Sequence, residues 1–319
     1  MVHTSQGRMA KVLLVLVILL ALSFLLSIGY GSSGFLLSFH DIQSKILDYR
    51  LRRTILAALV GASLSSAGCA MQSLFRNPLA DPYIIGVSSG ASAGASIAIV
   101  LGLASSSLSL MLFAFASSIL TVYVVYRIGG STTSSLLLAG IAVATFLTGL
   151  TSLLIYMAGE SMHKVIFWIM GGFWTANWVK VGLMLFTAFL GIALLYVFAW
   201  RLNALLLGEE HAESVGIDVS KFRAVIVAIS ALLTASAVSV SGVIGFVGLI
   251  IPHTMRMLLG FDNRVLIPFS VLFAMGFMPL VDLVARVAVP GELPVGIITS
   301  MLGAPFFIYL LRRGTGFGA

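Results

Sequence analysis

Apolar runs of about twenty residues follow one another along nearly the whole chain, separated by short polar breaks. A helix of roughly 20 apolar residues crosses the hydrocarbon layer of a bilayer. Only 9% of the 319 residues are charged, and 60% are hydrophobic. A soluble protein of this size needs a far more polar surface. The reading is therefore an all-α, polytopic membrane protein, with residues 1–319 forming a single transmembrane domain.

Ten spans are predicted: Val12–Tyr30, Thr54–Leu74, Ile84–Leu103, Leu108–Tyr126, Leu136–Met157, Val179–Trp200, Ala224–Val243, Ile244–Leu259, Val265–Val287 and Leu293–Leu311. The seventh and eighth run together, with Gly242 and Gly245 as the only punctuation. The first has Arg8 and Lys11 before it, as a signal peptide would. Its length and the poor cleavage site at Ser27-Ile28-Gly29-Tyr30 favour a retained helix. The stretch from Glu160 to Trp178 is too long for a turn. A re-entrant or interfacial helix fits there, with Trp168, Trp174 and Trp178 at headgroup level.

Basic residues orient the chain. With the N-terminus in the cytoplasm, 11 of the 18 Lys and Arg residues fall on the inner face, and ten spans place both termini there. Seven fall outside, among them Arg50, Arg52 and Arg53 at the start of the second span. Such a cluster opposes the insertion bias, so a use for it is expected. Snorkelling to lipid phosphate and docking of an acidic partner both fit. The basic residues are scattered over helix ends, which speaks against nucleic acid as a partner.

No P-loop is present, since none of the five lysines lies in a Gly-Lys-Ser/Thr context after a strand. Gradient-driven carriers bury ionisable groups mid-membrane. Asp282, His253 and Glu292 are the candidates here, but Asp282 stands one turn before Arg286 and can pair with it. Two G-x-S-x-G strings, Gly86–Gly90 and Gly90–Gly94, could be joined with His253 and Asp282 into an intramembrane serine hydrolase. They lie in a small-residue helix rather than on a strand-to-helix elbow, so chance accounts for them. Small residues at Gly61–Gly68 and Gly86–Gly94 suit close helix packing. The lone Cys69 has no partner for an internal disulfide and reads as a packing residue. No metal site is expected.

The most polar inner segment is 201–223. Leu205–Leu207, Gly208, Glu209–Val215 and Gly216 predict two short helices with glycine elbows. A Leu cluster beside an acidic short helix suits docking of a cytoplasmic protein better than it suits a solvated loop.

With these residues in view, the chain resembles the permease subunits of binding-protein-dependent ABC importers for iron(III)-siderophores, haem and cobalamin, the type II importer fold. Four stretches carry the resemblance. One is Arg50–Thr54 with Gly61-Ala-Ser-Leu, Gly68–Gln72, Asn77–Pro82 and Gly86–Ala91. The second is Thr133–Ile141. The third is Leu207–Glu210 with Gly216-Ile-Asp218. The last is Gly242–His253 with Asp282–Arg286, Glu292–Gly296 and Gly303–Pro305.

The resemblance implies a paired permease, commonly a homodimer, in the cytoplasmic (inner) membrane. Its fifth and tenth helices would line a central path. It implies two ATPase subunits, which bind the ATP and Mg, and an external substrate-binding protein. This chain then needs no cofactor and is not itself an enzyme. Arg50, Arg53 and Arg286 match positions that meet glutamates of the binding protein. Arg52 stands where the family commonly has proline. Leu207, Gly208, Glu209, Glu210, Ala212 and Gly216 match the coupling helices, and Thr132, Thr133 and Ser134 match the inner gate. The cargo, whether siderophore, haem, cobalamin or an oxyanion, is not legible. A gradient-driven secondary transporter is the alternative.

Overall fold

The computed structural model describes residues 6–31, 34, 41–130 and 132–312, with backbone alone at 41–43, 307 and 309–312. Among the described residues the fold is all helical. In chain order the helices are α1 Gln6–Gly29, α2 Asp41–Leu74, α3 Val87–Val100, α4 Ser107–Gly129, α5 Thr133–Met157, α6 Met162–Ile169, α7 Trp178–Val197, α8 Ala199–Leu206, α9 Glu209–Ser214, α10 Val219–Ser241, α11 Val247–Leu259, α12 Asn263–Val287 and α13 Val295–Arg312. Single 3₁₀ turns occupy Pro82–Ile85 and Gly159–Ser161.

Seven helices are long and apolar enough to cross a membrane: α1, α2, α4, α5, α7, α10 and α12. The shorter apolar α3, α11 and α13 bring the set to the ten positions expected from sequence. Helix starts follow capping chemistry. Ser106, Thr132, Asn177, Asp218 and Asp262 each accept a backbone N–H of the first turn with a side-chain oxygen. The α10–α11 junction is a true break. Gly242 and Phe246 both adopt positive φ, and the residues between the two helices are not helical.

The second span differs from expectation at its start. It begins at Asp41 rather than Thr54, so Arg50, Arg52 and Arg53 lie inside the helix. Local pairs sustain the added turns: Arg52 bridges Asp48 at 3.2 Å, one turn away. Arg53 donates to the Tyr49 hydroxyl at 3.1 Å.

α2 is the axis of the bundle. It packs against α7, α10, α11 and α12, and most of its length is buried. Small residues permit this. At Gly68 the backbone of α2 meets that of α11 at Gly248, with no room for a Cβ. The outward faces of α1, α5 and α7 carry Leu14, Leu25, Phe146, Phe186 and Phe189, apolar surface suited to lipid.

Between the 3₁₀ turn at Gly159–Ser161 and the start of α7, the Glu160–Trp178 segment holds only the short α6. The chain beyond it tucks inward. Phe173 is fully buried, Gly172 N–H donates to Ser241 O, and Val295 N–H donates to Gly171 O. Trp178 is exposed and donates to Asp48, while Trp174 packs on Phe167. Lys180 is buried, with its ammonium on Thr175 Oγ1 and Val240 O.

Candidate functional site

Two ends of the bundle carry the polar chemistry. At one end the C-terminus of α1, the first turns of α2 and the last turns of α12 converge on three arginines. Arg53 is fully buried and grips Asp282 through Nε and Nη2 at 2.9–3.0 Å. Its Nη1 reaches Glu292 at 2.8 Å. Arg286 meets the same Asp282 at 3.2 Å and donates to the carbonyl and hydroxyl of Ser27. Arg50 donates to the carbonyls of Ile28, Gly29 and Gly34. It thereby satisfies acceptors that a helix end leaves open.

The setting of these three arginines is an interior one. Arg50 and Arg286 are each 3% exposed, so none of the three projects freely. The Asp282–Arg286 pair was legible from spacing. Arg53 as the clamp between α2, α12 and the α12–α13 turn was not, because its partners lie 229 and 239 residues away. Glu292 is bound less deeply, with 28% of its side chain exposed, on a positive-φ backbone.

Asp282 is thus committed to two guanidiniums at this end. His253 lies beside the Pro78 loop and Arg256, toward the other end. The serine-hydrolase arrangement has neither an available carboxylate nor a histidine beside it.

The opposite end carries the glycine elbows. α8 and α9 form as expected, joined at Gly208 with φ 124°, and Gly216 follows with φ 84°. Leu207, Glu210 and Gly216 are exposed, while Ala212 is buried beneath them. Polar clamps fix this pair to the bundle. Asn203 on α8 accepts from the backbone and side-chain N–H groups of Asn263 at 2.8 and 2.9 Å. Its own amide donates to Asp262 at 2.7 Å. Glu209 accepts from the buried Arg223 at 2.7 Å and lies 3.9 Å from Arg76.

Behind them, Arg256 of α11 donates to Gln72, Ser73 and the Cys69 carbonyl of α2, and Ser73 donates to Asn263. A continuous polar chain thus runs from α8 through α12 and α2 to α11. The sequence reading missed Arg76, Arg223, Asn203 and Arg256. The elbow glycines mark the segment but give no sign of what anchors it. The contacts with Arg264 and Asn203 hold the Asp262 carboxyl below its ordinary value, and Lys221 does the same for Asp218.

Between the ends, α5 presents an exposed row of Thr145, Thr148 and Ser152, each hydroxyl returned to a carbonyl four residues back. α13 exposes Met301 and Leu302. Thr132 caps α5 at the elbow end, where Thr133 and Ser134 begin the helix.

The FecCD transport family model matches residues 12–313. The chain belongs to the FecCD transport family. A FecCD relative, the cobalamin import system permease protein BtuC of Halobacterium salinarum, is 44% identical over 267 residues, covering 82% of this chain and 72% of that protein. The Fe(3+)-citrate import system permease protein YfmD of Bacillus subtilis is 37% identical, covering 98% of this chain and 99% of that protein. A solved metal-chelate type ABC transporter in an inward-facing conformation superposes with a TM-score of 0.89. It shares 35% identity and covers 95% of this chain and 99% of that one. This FecCD chain is accordingly a multi-pass permease of the ABC-importer class.

Proposed function

We propose that this chain is the membrane half of a binding-protein-dependent importer that carries a metal chelate into the cell. It hydrolyses nothing itself; two ATPase subunits holding ATP and Mg drive it from the elbow end. Two copies pair around a path lined by α5 and α13, in the cytoplasmic membrane, with both chain termini inside. The elbow end is then cytoplasmic and the arginine end faces outward.

The carrying observation is the elbow pair. α8 and α9 are clamped to α12 and α10 by Asn203 and Glu209, yet present Leu207 and Glu210 outward. A push on that surface is transmitted to α2, α11 and α12 through side chains already in contact, which is what alternating access needs. Leu207, Gly208, Glu209, Glu210, Ala212 and Gly216 form this coupling element, and Thr132, Thr133 and Ser134 close the inner mouth.

The external binding protein docks on the arginine end. Three guanidiniums against two carboxylates leave Arg50, Arg53 and Arg286 net positive as a group, which favours an acidic partner. Buried as they are, the three act as clamps that shape this surface and set its charge, with the more exposed Arg52 at its rim. Relatives named for cobalamin and for Fe(3+)-citrate support a bulky chelate as cargo. The row of self-satisfied hydroxyls on α5 suits passage rather than tight capture.

Uptake into proteoliposomes holding this chain, its ATPase and its binding protein tests the reading. Vanadate is expected to stop uptake and a protonophore to leave it intact. The reverse pattern overturns the reading in favour of a gradient-driven carrier.

A further inference from the structure

Between α1, α2, α7 and α12 the bundle leaves a lateral groove of about 640 Å³. Leu59 and Ala62 form its floor, Ala188 and Ala193 one wall, and Pro268 and Leu272 the other. The α7 wall runs from Leu185 to Tyr196. At 1.5 Å per residue that is about 16 Å. Half the hydrocarbon core of a bilayer is about 15 Å. The groove is therefore one leaflet deep, and it opens sideways among spanning helices, where only apolar matter is at hand.

Its mouth is at the elbow end. Tyr196 is 53% exposed there and lies within electrostatic reach of Arg264. Arg264 stands one turn before Ile267 and Pro268 on the same helix face. Asp262 holds its guanidinium at 2.7 Å. Arg8 and Lys11 at the start of α1, and Arg201 on α8, are exposed at this same end. Arg201 rests over the Phe198 ring at 5.6 Å. Among the described residues none of these three cations is paired with a carboxylate.

An apolar slot one leaflet deep, ending in a basic collar at the membrane surface, has the layout of an anionic phospholipid. We propose that it is a binding site for one anionic glycerophospholipid. An acyl chain lies in the groove, and the phosphate sits at the Tyr196–Arg264 mouth within reach of Lys11 and Arg201. The site does not depend on the transport reading, since none of its groove-lining residues belongs to the coupling, gate or docking sets.

Native mass spectrometry of the purified chain tests it, with phosphatidylglycerol and phosphatidylcholine of identical acyl chains offered in equal amounts. The wild type is expected to retain phosphatidylglycerol preferentially. Lys11→Gln with Arg201→Gln is expected to weaken that retention about five-fold per cation removed and to weaken phosphatidylcholine far less, because its choline offsets the phosphate charge. Ala193→Trp, on the exposed part of the α7 wall, fills the slot and is expected to abolish retention of both lipids. Equal retention of the two lipids by the wild type overturns the proposal. So does undiminished retention by an Ala193→Trp protein whose gel-filtration profile matches the wild type. The glutamine pair alters only exposed side chains, so it tests the headgroup contact even if Ala193→Trp fails to fold.

Discussion

The two carboxylates bound to Arg53 differ in consequence because they differ in burial. Asp282 is fully buried and shared by two guanidiniums; Glu292 is partly open to solvent. Removing one member of a buried charge pair strands the other, at about 3–5 kcal/mol. A partly exposed pair contributes about 1 kcal/mol or less. Asp282→Asn is therefore expected to lower the detergent-solubilised protein's unfolding free energy by about 3–5 kcal/mol. Glu292→Gln is expected to cost no more than about 1 kcal/mol. Denaturant titration of both variants checks the order, and equal losses would show that burial does not govern this cluster. Replacing Arg53 by Glu is a poor docking test for the same reason: it puts a third carboxylate beside Asp282 and Glu292. At the residue scale the sequence supplied identities and one local pair. Partners more than 200 positions apart came only from the folded chain.

Helix ends decide how the elbow segment is held. Asp262 caps α12, accepts from Asn203 of α8 and pairs with Arg264. Its folded pKa lies below the ordinary carboxylate value. The stability it contributes is therefore fully present above about pH 4, the unfolded value, and is lost as pH falls through the folded value. Asp262→Asn keeps the helix cap, since Asn caps as well as Asp; it is expected to flatten this acid limb of the stability curve and to cost about 1 kcal/mol or less near neutrality through loss of the Arg264 pair. Stability measured against pH in wild type and variant checks it; parallel curves would assign the acid limb to other groups.

Glu209 is the corresponding tie of α9. Glu209→Ala leaves Arg223, itself buried, without its carboxylate. In the assembled importer it is expected to leave ATP hydrolysis running while uptake falls at least about ten-fold, a loss of about 1.4 kcal/mol in coupling. Hydrolysis and uptake measured side by side decide this, and a fully coupled variant removes Glu209 from the linkage. The glycine elbows and the Leu/Glu pattern made this element legible. The start of α2 was misjudged because its first three turns are polar, and hydropathy alone does not register a helix that rises above the apolar layer.

Across the whole molecule, polarity is distributed by end rather than by core and surface. Charge clusters sit at the two ends of α2, and the middle is packed through small residues such as Gly68 and Gly248. Exposed faces then differ in composition. α1 and α7 offer large apolar side chains, whereas α5 offers Ile141 and Phe146 together with a row of hydroxyls at Thr145, Thr148 and Ser152. A hydroxyl row facing lipid brings no gain, while one facing a water-filled path between two copies does. Light scattering of the detergent-solubilised chain is therefore expected to give twice the chain mass. A strictly monomeric protein at all concentrations would place the path within a single copy.

Local sequence by itself determined the class, the ten apolar helices apart from the start of α2, and the elbow segment, because each depends on residues close together in the chain. The tertiary structure alone decided that the three arginines are internal clamps, that Lys180 is buried, and that Asn203, Gln72 and Arg256 connect the elbows to α2. Those outcomes depend on which distant side chains share a low-dielectric interior. A buried charge goes where its partner is, and nothing in local spacing says where that partner will be.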